Sequence, residues 1–333
     1  MISGASLRGR DLISAADLSA SEVAVVLERA AQLKAEFRAT GRHAPAPLAG
    51  RTLALLFDKP SLRTRVTFEA GMTQLGGHGI YLAGEVGLGQ RESVSDVARN
   101  LSRWVDAIAI RTFEHTLVEE LAARATVPVI NALTDHEHPC QALADLFTIR
   151  EHVGHREGVV LAFVGDGNNV FHSLALLGGL VGLEVRLAHP PGYGPDAGVV
   201  ERARVLAAAS GGAIVLGHDP RAAVRGADIV YTDTWISMGQ EADVEARRAA
   251  FAGFRVDDAL LDEAGPGAFV MHCLPAHRGE EITDEALDGP RSLVLEQAEN
   301  RLHVQKALLV ECIAGDPTVA HQPAPAVPAD GAP

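Results

Sequence analysis

Lys59-Pro60-Ser61-Leu62-Arg63-Thr64-Arg65 sets two arginines and two hydroxyls within five residues, directly after an apolar run from Thr52 to Phe57 that reads as a buried strand. Pro60 fixes its own φ and Ser61 can act as an N-cap, so a helix opens at Leu62 with its first N–H groups unpaired. Such a helix start binds anions, and forked, charge-assisted donors beside it suit a phosphate dianion. The ordinary alternative is a capped helix with solvated arginines.

Further groups of this kind stand at the ends of other apolar runs. His138-Pro139-Cys140-Gln141 leads directly into a helix. An imidazole donates to a carbonyl oxygen and a Gln amide reads an NH₂ group, so the pair suits a carbamoyl or amide group. Gly165-Asp166-Gly167-Asn168-Asn169 has the start of a dinucleotide fingerprint, but the next run ends in Leu187-Ala188-His189-Pro190, without the acidic residue that a ribose requires. Asn169 offers donor and acceptor together, which fits an amino-acid carboxylate or ammonium. Asp233-Thr234-Trp235-Ile236-Ser237-Met238-Gly239 combines a carboxylate, a hydroxyl and a flexible backbone, as a loop around a small cation does. Cys273 lies between His272 and Pro275, where a thiol is otherwise a small core hydrophobe.

The elements that must position these residues alternate along the chain. Ser19-x-x-Glu22 is a capping-box pattern, and Val23, Val26, Leu27, Ala30 and Leu33 recur at helical spacing until Gly41. Strand-like runs at Leu53–Phe57, Gly79–Leu82, Ala107–Arg111 and Val127–Asn131 alternate with helical patterns, which predicts a parallel sheet. The segment from Cys140 to His152 reads as one helix leading from one domain toward the next. A second doubly wound half comes after it, with runs at Val159–Val164, Val185–Ala188, Ala213–Leu216, Ile229–Thr232 and Phe269–His272. The last helix spans Gln297 to Ile313. The expected fold is α/β, with two doubly wound parallel-sheet domains at 1–147 and 148–313. Interdomain helices join them, the C-terminal helix packs back on the first domain, and 314–333 forms a disordered tail. Ligands of open parallel sheets sit at the carboxyl ends of strands, where the candidate residues cluster.

Composition narrows the function class. The chain has 333 residues, a formal charge of −14 and 47% hydrophobic residues, as a soluble globular α/β protein of two domains does. That charge argues against nucleic-acid and anionic-membrane partners, so any anion must be caught locally. Cys140, Cys273 and Cys312 lack metal-type spacing and are too few for a disulfide scaffold, which suits reduced, cytoplasmic thiols. Neither a signal peptide nor a membrane-spanning apolar run is read.

K-P-S-L-R-T-R, L-G-G-H, H-P-C-Q-A-L-A-D, F-V-G-D-G-N-N-V, T-D-T-W-I-S-M-G-Q-E, H-C-L-P-A-H-R-G and A-E-N-R-L-H-V-Q-K occur in this order. With them the chain resembles the ornithine carbamoyltransferases from about Leu7 to Leu309. The resemblance implies an enzyme of arginine metabolism that converts carbamoyl phosphate and L-ornithine into L-citrulline and phosphate, with no metal and no organic cofactor. It implies that Ser61, Leu62, Arg63, Thr64, Arg111, His138, Pro139, Cys140, Gln141 and Arg301 hold carbamoyl phosphate, with Cys273 and Leu274 near its carbamoyl group. Asn169, Asp233, Ser237 and Met238 would hold ornithine. The catalytic set so implied is Arg63, Arg111, His138, Asp233, Cys273 and Arg301, with the thiol in a positioning role. A homotrimer is also implied, because relatives lend a side chain to a neighbouring subunit two residues before an L-G pair. That position here is Gly87, and whether Gln90 or a backbone contact serves instead stays open. Leu62 also departs from the family pattern, at a position expected to bind through its amide. The competing readings are another carbamoyl acceptor such as N-acetylornithine or putrescine, a non-catalytic ligand-binding paralogue, and a nucleotide-dependent oxidoreductase resting on the turn at Gly165.

Overall fold

The computed structural model describes residues 6–84, 86–154, 157–236 and 243–315. The chain divides into two compact units, one comprising residues up to Phe147 together with those from Asn300 onward, the other Thr148–Glu299. Of the tail expected at 314–333, Ala314 instead ends the last helix, and residues 316–333 lie outside the described residues.

In the first unit, helix α1 (Ala20–Thr40) opens on a reciprocal capping box between Ser19 and Glu22 and closes on Gly41, whose φ of 70° suits a residue without a Cβ. Then come strand β1 (Thr52–Phe57), α2 (Leu62–Gln74), β2 (His78–Ala83), α3 (Val94–Leu101), β3 (Ala107–Arg111), α4 (His115–Arg124), β4 (Val129–Leu133) and α5 (Pro139–His152). The four strands are parallel in the order β2-β1-β3-β4. Central strands β1 and β3 read as continuous apolar runs because both of their faces are covered. Strand β4 begins two residues later than its apolar run, since Pro128 has no N–H for the ladder and offers only its carbonyl, to Ile108 at 2.9 Å.

The second unit continues with β5 (Val160–Val164), α6 (Asn169–Leu180), β6 (Glu184–Ala188), α7 (Ala197–Ser210), β7 (Ala213–Gly217), α8 (Pro220–Val224), β8 (Ile229–Thr232), α9 (Val244–Phe251), α10 (Asp258–Ala264), β9 (Phe269–His272) and α11 (Asp284–Asp288). Its five strands are parallel in the order β7-β6-β5-β8-β9. Helix α12 (Val294–Ala314) starts one turn before the expected Gln297, with Val294 buried. The division between the units falls inside α5 and again inside α12. No helix among the described residues is long and apolar enough to cross a membrane.

Both sheets reverse their winding direction once, between β1 and β3 and between β5 and β8. Crevices at such switch points, beyond the carboxyl ends of the strands, are where α/β sheets hold ligands. Ser61, Arg111 and His138 follow or end β1, β3 and β4, while Asn169 and Asp233 follow β5 and β8.

Candidate active site

In the first unit, Arg111 closes β3 at a shift in register with β4 after Ile110, an irregularity of the kind that re-aims a side chain. The Asp58 N–H donates to the Arg111 carbonyl at 2.9 Å, so the loop into α2 starts beside it. Ser61 caps α2, its Oγ accepting from the Thr64 N–H at 3.2 Å. Buried Lys59 pairs with Asp135 and lies 3.9 Å over the Phe113 ring, which ties the loop after β1 to those after β3 and β4. Glu137 anchors the last of these loops, its carboxylate accepting from Ser14 Oγ at 2.6 Å and from the Ala15 N–H at 2.9 Å. His138 comes next, and Pro139 begins α5 where no N–H is needed.

Arg301 of α12, only 3% exposed, is where these loops meet. Its Nη2 donates to Thr64 Oγ1 at 2.8 Å and its Nη1 to Gln141 Oε1 at 2.9 Å, while His138 Nε2 lies 3.5 Å from Nη1. Gln141 Nε2 in turn donates to Asp145 Oδ1 at 2.8 Å. The strings around Ser61, His138 and Arg301 thus form one hydrogen-bonded cluster. Leu62 points away, 73% exposed, which leaves its backbone amide as the group it can offer.

An acidic chain here concentrates cations. His138 is pushed well below its ordinary 6.5, first by burial and then by the charges of Arg301, Arg111 and Arg63. Its ring is therefore neutral, and with Nε2 facing an arginine donor the proton belongs on Nδ1. Burial pushes the Cys140 thiol up to about 12, and its Sγ donates to the Asn131 carbonyl at 3.4 Å, so it packs as an uncharged thiol. A testable consequence concerns acid stability. Because the folded chain holds His138 below 6.5, the unfolded chain alone takes up this proton as pH falls, and stability declines below that value. A His138→Gln variant is expected to lose less unfolding free energy than its parent between about pH 7.5 and pH 5, measured by denaturant titration. Equal losses would contradict a neutral, buried imidazole.

In the second unit, Asn168 caps α6, its Oδ1 accepting from the Val170 and Phe171 N–H groups at 3.0 and 3.2 Å. Its Nδ2 donates to Asp233 Oδ2 at 2.7 Å. Asp233 Oδ1 accepts from the Thr234 N–H at 2.8 Å and from the Cys273 thiol at 3.0 Å. A second bridge runs between the same two turns: Asp166 pairs with Arg247, whose Nε donates to the Trp235 carbonyl at 2.5 Å. Cys273 is held by its neighbours. The His272 N–H donates to Gln297 Oε1 at 2.9 Å, and His272 Nδ1 accepts from the Leu274 N–H at 2.8 Å, with Leu274 in the left-handed region at φ 60°. His272 Nε2 lies 3.1 Å from Glu281 Oε1. His272, Cys273 and Asp233 bring one potential metal-ligand atom each within 4.8 Å of one another, but both His272 nitrogens are engaged, which leaves the carboxylate and the thiol to meet a ligand.

The turn at Gly165 does not suit a dinucleotide. Gly167 donates its N–H to the Tyr193 carbonyl at 3.0 Å, and a Cβ there would lie 2.2 Å from the Pro195 nitrogen. The chain's own segment fills the close approach that a pyrophosphate would need, which overturns the oxidoreductase reading.

The model of the aspartate/ornithine carbamoyltransferase carbamoyl-P binding domain matches residues 10–151, and that of the Asp/Orn binding domain matches residues 157–312. The chain belongs to the aspartate/ornithine carbamoyltransferase family. An ornithine carbamoyltransferase of Anoxybacillus flavithermus is 51% identical over 308 residues, 92% of this chain and 98% of that one. An anabolic ornithine carbamoyltransferase of Pyrococcus furiosus is 51% identical over 311 residues, covering 93% and 98%. The solved structure of the ornithine carbamoyltransferase from Pyrococcus furiosus aligns with a TM-score of 0.90 over 93% of this chain and 99% of its own.

Within this carbamoyltransferase, Thr64, His138, Gln141 and Arg301 are brought into one cluster, with Ser61 at the cap beside Thr64 and with Arg63 and Arg111 close enough to depress the His138 pKa. Cys273 and Leu274 belong to the second unit, where the thiol meets Asp233. Asn169 is the first residue of α6. Ser237 and Met238 lie outside the described residues. Lys59, Asp145 and Asn168 stand inside motifs read from the sequence but have no role of their own in that reading, and neither does Arg247. The Gln141–Asp145 spacing of four on a helix is a signal that could have found one of them.

Proposed function

We propose that this protein transfers the carbamoyl group of carbamoyl phosphate to the δ-amine of L-ornithine, giving L-citrulline and phosphate in arginine biosynthesis. The observation that carries this reading is a neutral imidazole, His138, set among Arg63, Arg111 and Arg301 beside the capped start of α2. Such a cluster suits a substrate that joins a phosphate dianion to a carbonyl.

The first unit serves as the carbamoyl-phosphate domain. The amides from Ser61 to Thr64, with Arg63 and Arg111, receive the phosphate. His138 through Nδ1–H and Arg301 polarise the carbonyl oxygen as negative charge grows on it. The second unit serves as the ornithine domain, Asp233 pairing with the α-ammonium, assisted by Asn169, Ser237 and Met238, and Cys273 orienting the δ-amine. The unprotonated δ-amine attacks the carbonyl carbon, a C–N bond forms, the bond to the phosphate oxygen breaks with its electron pair leaving on phosphate, and the amine's proton is released to the phosphate. We also propose a cytoplasmic homotrimer, with Gln90 or the backbone at Gly87 reaching a neighbouring subunit.

Citrulline formation from the two substrates by the purified protein tests the reading, with N-acetylornithine and putrescine as competing acceptors. Citrulline absent, or a faster reaction with another acceptor, would refute it. Arg63→Ala is expected to keep the fold and lower kcat/KM for carbamoyl phosphate by about 10², as loss of one charge-assisted phosphate contact does. A change of less than about threefold in steady-state assays would remove Arg63 from the site.

A further inference from the structure

We propose that Asp145 is the positioning residue that lets this protein tell a carbamoyl group from other acyl phosphates, by deciding which end of the Gln141 amide meets the substrate. The inference rests on the reading of the first unit as a carbamoyl-phosphate site.

The two ends of a glutamine amide have nearly the same shape and opposite hydrogen-bonding character, so a half-turn about the last bond exchanges an acceptor for a donor. Around Gln141 the half-turn is blocked from both sides. Arg301 can only donate, and its Nη1 meets Oε1 at 2.9 Å. A carboxylate can only accept, and Asp145 Oδ1 meets Nε2 at 2.8 Å. Gln141 and Asp145 stand four apart on α5 and both are fully buried, so neither end of the amide can turn to water instead. A buried carboxylate is costly to desolvate, and its return here is a fixed polarity.

With one Nε2 hydrogen on Asp145, Gln141 still offers the second Nε2 hydrogen and the second lone pair of Oε1, and only the lone pair can accept. A carbamoyl NH₂ donates to that lone pair. Acetyl phosphate, with a methyl group in the same place, and inorganic phosphate, with nothing there, gain no such bond. Recognition of the nitrogen would thus be set by Asp145, which need not touch the substrate. A neutral apolar residue at position 145 would leave Nε2 without its acceptor and the amide's orientation resting on Arg301 alone, so that the amide is held less firmly.

Two variants test this in the full-length protein. Asp145→Leu removes the acceptor, and Asp145→Asn keeps an acceptor while adding a donor. For Asp145→Leu the KM for carbamoyl phosphate is expected to rise about tenfold or more, while inhibition constants for acetyl phosphate and inorganic phosphate stay within about twofold. Asp145→Asn should fall between Asp145→Leu and the parent. A merely structural role would weaken all three ligands together, and that result would overturn the proposal, as would an unchanged carbamoyl-phosphate KM. If the leucine variant does not fold, the asparagine variant decides by the same ratio of constants. A parent protein that forms no citrulline would remove the underlying reading and this inference with it, whereas an active parent with unaltered discrimination in the variants would remove the inference alone.

Discussion

Replacing Arg301 with methionine is expected to lower kcat/KM for carbamoyl phosphate by about 10³ or more, above the loss from any single donor, because one side chain supplies both a charge and two of the contacts that assemble the site. Arg301 donates to Thr64 and to Gln141 and stands beside His138, so its loss leaves two buried acceptors without their donor and removes a cation from the carbonyl end of the substrate. Methionine follows the arginine stem closely enough to keep α12 packed, and relief of repulsion among three arginines offsets part of the cost of the two unpaired acceptors, so the variant should stay folded. Charge provides a second readout. Arg301 is the largest charge effect holding the His138 proton off, so the variant imidazole should titrate closer to its ordinary value. Steady-state kinetics with an NMR titration of His138 would check both. A loss of less than about tenfold in kcat/KM would place the carbonyl contact elsewhere.

How much of this was legible in the sequence depends on the range of each interaction. Strands β1, β3, β8 and β9 could be read to within a residue because burial on both faces leaves no alternation to misread. The slip at β4 came from one residue, Pro128, which continues the apolar run without being able to join the ladder. The caps at Ser19 and Ser61 were legible because a cap bonds three residues ahead. The partners that complete the site were not. Arg301 reaches Thr64 across 237 positions, and Lys59 reaches Asp135 across 76. Those pairings depend on the strand order β2-β1-β3-β4, which no local pattern displays. Asn168 is the instructive case. Of two adjacent asparagines, the one that caps α6 turns its Nδ2 to Asp233, and only the backbone geometry at the cap decides which that is.

Asp233→Asn is expected to reduce kcat/KM for ornithine by about 10³, in the range found when one partner of a buried charge pair is removed. Asp233 is 6% exposed and its two oxygens accept from Asn168, Thr234 and Cys273, so the carboxylate is fixed before any amine arrives. Asparagine keeps the shape but loses the charge that an α-ammonium would meet. One end of its amide must also face a donor with a donor: with its oxygen toward Thr234 and Cys273, its NH₂ points at Asn168 Nδ2. The cap at α6 uses Asn168 Oδ1 and is untouched, so the fold should persist. Because the phosphate residues belong to the other unit, the KM for carbamoyl phosphate should stay within about threefold. N-acetylornithine provides the internal control, since it has no α-ammonium to lose. Its residual rate should be the same in parent and variant, while the rate with ornithine collapses toward it. An Asp233→Asn protein whose ornithine kcat/KM stays within about tenfold of the parent would show that the α-ammonium is held by another group.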